Sequence, residues 1–219
     1  MIKAIVFDLD GVLLDSEPVW EEVRRQVVAE TGGHWNPDTQ SRLMGMSTAE
    51  WANFLAADLG VRLPPELIAH TVIERMVARY RDHLPLMHGA AQAVRLLARR
   101  WPLGMASSSP PALIEFVLSD PAFGPQFSVA MSTEQVAQGK PAPDIYIAVM
   151  QRLGVTPPQC AAVEDSTNGL NSAARAGLHV IAIPHPRYPP DPDAVRAASL
   201  VVPDLSGLTP ELVATLSRT

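Results

Sequence analysis

Ile2-Lys3-Ala4-Ile5-Val6-Phe7-Asp8-Leu9-Asp10-Gly11 runs from an apolar, β-branched segment with a single charge directly into two carboxylates and a glycine. Residues 2–7 suit a strand buried on both faces of a parallel sheet, because a strand with one wet face alternates apolar and polar positions. The stop at Asp8 marks the strand's carboxyl end, the edge outside which open parallel sheets bind ligands. Short apolar runs recur at 103–106, 127–131, 161–163 and 178–183, with a weaker sixth at 200–202. Helical patterns lie between them, at 89–100, 112–118, 143–153 and 166–176. That alternation predicts an α/β fold, a parallel sheet wound through right-handed crossovers and flanked by helices.

One stretch breaks the rhythm. From 16 to 83 the sequence shows helical spacing of apolar residues at 17–30, 47–59 and 65–81 and no strand pattern. A compact all-helical domain, 16–83, is therefore expected as an insertion after the first strand, with 1–15 and 84–219 forming the core domain. The remainder has the size of one ordinary domain. Of the 219 residues 47% are hydrophobic and 18% charged, the latter below the roughly 25% usual in soluble domains, so a large core is affordable and disorder is excluded. Proline is in excess, 21 residues, and falls mostly at element boundaries such as Pro64-Pro65, Pro110-Pro111 and Pro157-Pro158. The run 185–193 reads as a stiff surface loop.

A net charge of -6 with only 17 Lys and Arg argues against a nucleic-acid partner, which needs a basic stripe to release counterions. No apolar run approaches the roughly 18 residues of a membrane span, and the first apolar run meets Asp8 too early for a signal peptide. Cys160 stands alone in apolar surroundings, which predicts a buried thiol rather than a nucleophile and fits a reducing compartment. The expectation is a cytoplasmic protein, a monomer or weak oligomer, with no membrane or nucleic-acid partner. His34, His70, His83, His88, His179 and His185 lack the spacing of a zinc site.

Chemistry gathers at successive strand ends. Asp8 and Asp10 repel at close range unless a cation lies between them, and such a pair offers one carboxylate for attack or metal binding and one carboxyl for proton transfer. Ser107, Ser108 and Ser109 follow the next core strand and precede a helix, where hydroxyls and free N–H groups make an anion site. Lys140, in Gly139-Lys140-Pro141, has the charge to neutralise a phosphoryl oxygen. Glu164 and Asp165 close the 161–163 strand, where adjacent acids are costly unless they face a cation. Parallel strands bring these ends to one edge, and together they are the inventory for a phosphate held with Mg²⁺.

The four motifs Phe7-Asp8-Leu9-Asp10-Gly11-Val12, Ala106-Ser107-Ser108-Ser109, Gly139-Lys140-Pro141 and Val163-Glu164-Asp165-Ser166 with Asn168-Gly169 resemble, in order and over almost the whole chain, those of the haloacid dehalogenase superfamily. The branch it resembles has a Rossmann-like core and a helical cap inserted after the first strand. The resemblance implies a Mg²⁺-dependent phosphatase acting on a small phosphorylated metabolite, a sugar or polyol phosphate, through an aspartyl phosphate. It makes Asp8 the nucleophile and Asp10 the acid and base. Ser107 and Lys140 would hold phosphoryl oxygens, with Leu9, Gly11, Ser108, Ser109 and Asn168 lining the phosphate site. Mg²⁺ would be held by Asp8, the Asp10 carbonyl and Asp165, with Glu164 either a direct ligand or the partner of a bound water.

Within the superfamily the chain resembles β-phosphoglucomutase-like proteins and sugar-phosphate phosphatases. The mutases hold a second phosphate with a histidine, an arginine and a lysine, and the corresponding positions are Trp20, Thr48 and Pro110, none of which is cationic. The stretch Asp15-Ser16-Glu17-Pro18-Val19-Trp20 resembles the phosphatases instead, which implies a substrate contact from Glu17 and makes Trp20 either a face that stacks on the sugar or part of the cap's packing. Leu43-Met44-Gly45-Met46 is either a cap loop at the substrate or core filler. The alternatives are a mutase-type phosphotransferase and a non-catalytic Mg²⁺ or phosphate-binding module. The latter requires a lost nucleophile or acid, yet Asp8, Asp10, Lys140 and Asp165 are all present.

Overall fold

The computed structural model describes residues 1–44 and 46–216; Gly45 of the 43–46 cap segment lies outside the described residues. Strands β1 (Ala4–Phe7), β2 (Leu103–Ser107), β3 (Phe127–Ser132), β4 (Cys160–Glu164), β5 (His179–Ala182) and β6 (Leu200–Val201) form one sheet. Its order is β3-β2-β1-β4-β5-β6, and every neighbouring pair is parallel. The chain winds outward from β1 through β2 to β3, then returns to the other side of β1 as β4. The strand order reverses at β1, so its carboxyl end is the topological switch point where such sheets bind ligands.

The chain divides into two compact units, Met1–Asp15 with Leu86–Thr219, and Ser16–Pro85. In the sheet-containing unit β1, β2 and β4 are buried along their whole length, which is why their sequences run without a charged or polar side chain up to the last residues, Ser107 of β2 and Glu164 of β4. Ala4, Val6, Ala106, Cys160, Ala162, Val180 and Ala182 form one apolar cluster with α7 (Asp144–Leu153) and α8 (Thr167–Arg175). Phe7, of opposite parity to Val6 along β1, meets the Phe127 ring edge-on at 6.1 Å. The other helices of this unit are α5 (Ala90–Ala98), α6 (Pro111–Leu118), α9 (Pro192–Arg196) and α10 (Pro210–Thr215).

The second unit contains α1 (Glu17–Glu30), α2 (Thr39–Leu43), α3 (Thr48–Ala57) and α4 (Pro65–Asp82). Its interior is built from the apolar stripes Val23 and Val27 of α1, Trp51 and Leu55 of α3, and Ile68, Val72 and Met76 of α4, all buried. Ser47 and Glu50 close a capping box at the start of α3, satisfying two N–H groups reciprocally. Two ion pairs, Arg75 with Glu30 and Arg79 with Glu22, join α4 to α1 across its exposed side. Among the described residues no helix is long and apolar enough to cross a membrane.

Two differences from the sequence reading concern ends and prolines. The first strand starts at Ala4 rather than Ile2, although Lys3 already donates its N–H to Gln159 O, ahead of β4, at 2.7 Å. The segment read as a loop through 193 already turns helical at Pro192, where proline lacks only an N–H that a first turn leaves unused. Asp191 caps that turn by accepting from Asp193 N at 2.8 Å, and its own N–H donates to Thr167 Oγ1 at 2.7 Å. Upstream, buried His185 accepts at Nδ1 from the N–H groups of Arg187 and Tyr188, both at 3.3 Å, and its Nε2 lies 3.5 Å from Asp15. The proline cluster is thus pinned at both ends.

Candidate active site

Register puts the polar residues level. Phe7 pairs with Met105 on one side and Val163 on the other, so the next residues along the three strands are Asp8, Ala106 and Glu164. Lys140 reaches all three: Nζ donates to Asp8 Oδ1 at 2.7 Å, to Ala106 O at 2.9 Å and to Glu164 Oε1 at 2.6 Å. An ammonium has three protons, and these acceptors use them all. The Lys140 side chain is only 4% exposed. Burial works against its charge, but Asp8 and Glu164 outweigh that and hold its pKa above the ordinary lysine value.

Asp8 experiences the opposite balance. Burial pushes its carboxyl up to about 8, opposed by Lys140 and reinforced by the charges of Glu164 and Asp10. One lysine does not offset this much buried acid. Carboxylate oxygens of Asp8, Glu164 and Asp165 lie within 4.8 Å of one another, all three residues buried. A set made only of carboxylate oxygens fits a hard divalent cation such as Mg²⁺, Mn²⁺ or Ca²⁺ rather than zinc or copper. The backbone makes room for the Asp165 carboxylate: Gly11 takes φ +80°, and a Cβ there would stand 2.0 Å from Asp165 Oδ2.

Asp10 is held from the neighbouring strand end. Ser109 Oγ donates to its Oδ2 at 2.6 Å and Ser107 Oγ lies 3.4 Å from the same oxygen. The serine turn is itself braced, with Ser109 N donating to Ser107 Oγ at 2.9 Å and Ser132 Oγ donating to Ser109 O at 2.7 Å. Ser107 and Ser109 are buried, Ser108 is half-buried, and α6 begins two residues past Ser109. Leu9 is fully buried, while Asn168 stands half-buried in the first turn of α8.

Glu164 is wholly buried, which needs explanation for a carboxylate. Its Oε1 accepts from Lys140 and from Tyr146 Oη, each at 2.6 Å. Its Oε2 lies 3.3 Å from Asp165 N and 3.4 Å from Ser166 Oγ. Gly169 leaves the space, since a Cβ there would meet the Glu164 carboxylate at 1.9–2.1 Å. Burial, then the adjacent Glu164 and Asp8 charges, raise the Tyr146 phenol well above its ordinary pKa, so it remains a donor. Tyr146 escapes notice in the sequence because it lies in the apolar stripe Ile145, Tyr146, Val149 and Met150 of α7.

The two cap residues singled out in the sequence lie in the helical unit. Glu17 Oε2 accepts from Gln40 Nε2 at 2.6 Å. Trp20 is buried, with its ring tilted 60° to that of Trp51 at 6.1 Å, and the Arg24 guanidinium lies 4.5 Å from the first indole and 5.1 Å from the second. In the core unit Cys160 is buried, and burial pushes its thiol up to about 12. We expect it to resist iodoacetamide in the native protein at about pH 8 and to react at once in denaturant, since the thiolate is the nucleophile. Rapid native alkylation, followed by mass, would contradict that burial.

A family model described as haloacid dehalogenase-like hydrolase matches residues 2–177, which include Asp8, Asp10, Ser107, Lys140, Glu164 and Asp165. The chain belongs to this hydrolase family. It is 32% identical to hexitol phosphatase B of Escherichia coli over 202 residues, covering 90% of each chain. It is 31% identical to the phosphorylated carbohydrates phosphatase of Thermotoga maritima, covering 82% of this chain and 84% of that one. The crystal structure of CbbY from Rhodobacter sphaeroides in complex with phosphate superposes with a TM-score of 0.82 at 28% identity, covering 95% of this chain and 96% of the other.

Proposed function

We propose that the protein hydrolyses a small phosphomonoester, a sugar or polyol phosphate, with Asp8 as nucleophile and Asp10 as acid and base. The observation that carries this reading is the unlike treatment of the two aspartates. Asp8 is buried against the Lys140 ammonium, while Asp10 is held by serine hydroxyls one strand away. Environments that differ in this way suit two carboxyls to two tasks. An Asp8 oxygen attacks phosphorus, the bond from phosphorus to the substrate oxygen breaks, and Asp10 delivers the proton that oxygen needs. Asp10 then takes a proton from the water that attacks the aspartyl phosphate, releasing phosphate and restoring Asp8. Ser107 binds one phosphoryl oxygen and Lys140, by giving up one of its three present acceptors, binds another, and positioning with charge supplies most of the acceleration.

Asp8, Asp165 and the carbonyl of Asp10 are the groups we assign to Mg²⁺, which when bound supplies positive charge beside the phosphoryl group and the buried acids. The helical unit Ser16–Pro85 is read as an inserted cap that selects the substrate, with Glu17 and Trp20 as its contacts. The nature of the two phosphatase relatives supports phosphorylated carbohydrates and their reduced forms as substrates. Transfer between two positions of one sugar needs a second dianion to be held, and Trp20, Thr48 and Pro110 carry no charge for it. A panel of phosphorylated metabolites incubated with purified protein tests the reading. Phosphate release with Mg²⁺ that is lost on exhaustive EDTA treatment is expected. Isomerisation of a hexose 1-phosphate in the presence of a bisphosphate, or activity that survives chelation, would contradict it.

A further inference from the structure

Glu164 lies close enough to Asp8 and Asp165 to share a cation with them. Its hydrogen bonds direct it elsewhere. A carboxylate oxygen offers two lone-pair directions, and Oε1 spends them on Lys140 Nζ and Tyr146 Oη. Oε2 faces the Asp165 N–H and the Ser166 hydroxyl. The Tyr146 ring also lies 5.3 Å from Lys140 Nζ, so one side chain supports both members of the pair. Tyr146 is fully buried among aliphatic neighbours of α7, where a phenol without this bond would be left unsatisfied.

We propose that Tyr146 is a positioning residue that commits Glu164 to Lys140, so that Glu164 orients the lysine and stays outside the set of groups that bind the cation directly. The proposal rests on the phosphatase reading above and settles which way Glu164 faces. Without the phenol hydroxyl, one direction of Oε1 is released toward the neighbouring acids, and Lys140 loses part of what fixes it against Asp8. The same change therefore strengthens cation binding and weakens turnover, a combination that a merely structural tyrosine does not produce.

The test uses the full chain, freed of metal, with Mg²⁺ titrated by calorimetry in the absence of substrate, alongside steady-state kinetics on the best substrate of the panel. Tyr146→Phe is expected to bind Mg²⁺ several-fold more tightly and to lose about tenfold in kcat with KM little changed. Unchanged affinity and kcat would reduce Tyr146 to core packing, and weaker Mg²⁺ binding would make Glu164 a direct ligand; either overturns the proposal. Glu164→Gln keeps an acceptor for Tyr146 and Lys140, and it guards against a poorly folded Tyr146→Phe. Its Mg²⁺ affinity is expected to fall by no more than about 100-fold, the upper end of the usual range for groups behind the ligands, whereas a fall of several orders of magnitude beyond that would overturn the proposal. A wild-type protein that neither binds Mg²⁺ nor releases phosphate overturns the phosphatase reading itself, an outcome distinct from any difference between variants.

Discussion

Asp8→Asn is expected to lower phosphate release by about 10³-fold or more with the fold intact. The amide keeps the shape of the carboxylate and can still accept from Lys140 through Oδ1, and the strand-end bond from Asp8 N to Val163 O at 3.0 Å belongs to the backbone. What it removes is the attacking oxygen and one buried negative charge. Because Asp8 carries a desolvation cost and faces Glu164 and Asp10, the metal-free variant should unfold at a temperature no lower than the parent. Circular dichroism melts and a phosphate-release assay separate the two effects. A variant with near-normal turnover would remove Asp8 from the chemistry.

The second large effect concerns stability. Lys140→Met removes the ammonium that ties the ends of three neighbouring strands and leaves Asp8 and Glu164 buried without it. Breaking a buried pair by removing one partner costs about 3–5 kcal/mol, a loss that urea unfolding resolves. Its pH dependence has a definite sign. Asp8 sits at about 8 even beside Lys140, and without the lysine its carboxyl lies higher still. An acid whose folded pKa exceeds its unfolded value of about 4 holds a proton in the native state that the unfolded chain has released, so stability falls as pH rises through that window. Parent and variant share that loss between about 4 and 8, so the deficit of Lys140→Met should be flat there and grow only as pH rises above about 8, where Asp8 of the parent has ionised and that of the variant has not. A deficit that instead grows with acidity would mean that the two carboxylates are compensated by something other than Lys140.

The sheet was legible because its strands are buried on both faces and so read as unbroken apolar runs, as at Ile5-Val6-Phe7 and Ala161-Ala162-Val163. Their exact ends were not, since a last residue such as Ser107 or Glu164 joins the ladder through its backbone whatever its side chain. Three helices gave no signal. α2, α9 and α10 span five or six residues each, too short for a 3.6-residue period to show, and α9 opens on a proline that also suits a loop.

In the site, the residue types at the strand ends were readable, and so was the gathering of those ends at one edge. The pairings were not. Lys140 and Glu164 are 24 positions apart, and Ser109 and Asp10 are 99 apart, so only the strand register reveals which side chains meet. Tyr146 could not be read as polar from the sequence, because at its helical spacing a tyrosine looks like any other core residue. The hydroxyl of Ser109 was read with its neighbours as an anion site, and the structure gives it to the Asp10 carboxylate. For the chemistry proposed, that bond orients the acid.

The most direct test of the covalent scheme is to trap the intermediate. Asp10→Asn retains the shape of the acid and its contact with Ser109 but cannot activate water, so with a substrate whose leaving oxygen needs no proton the phosphorylated enzyme should form and persist. After incubation with Mg²⁺ and p-nitrophenyl phosphate, whose phenolate leaves without a proton, and an acid quench, intact-mass measurement and peptide mapping should find one added phosphoryl group, on Asp8. Substrate turned over with no phosphoryl group on the protein, or a group carried on any other residue, would contradict the scheme.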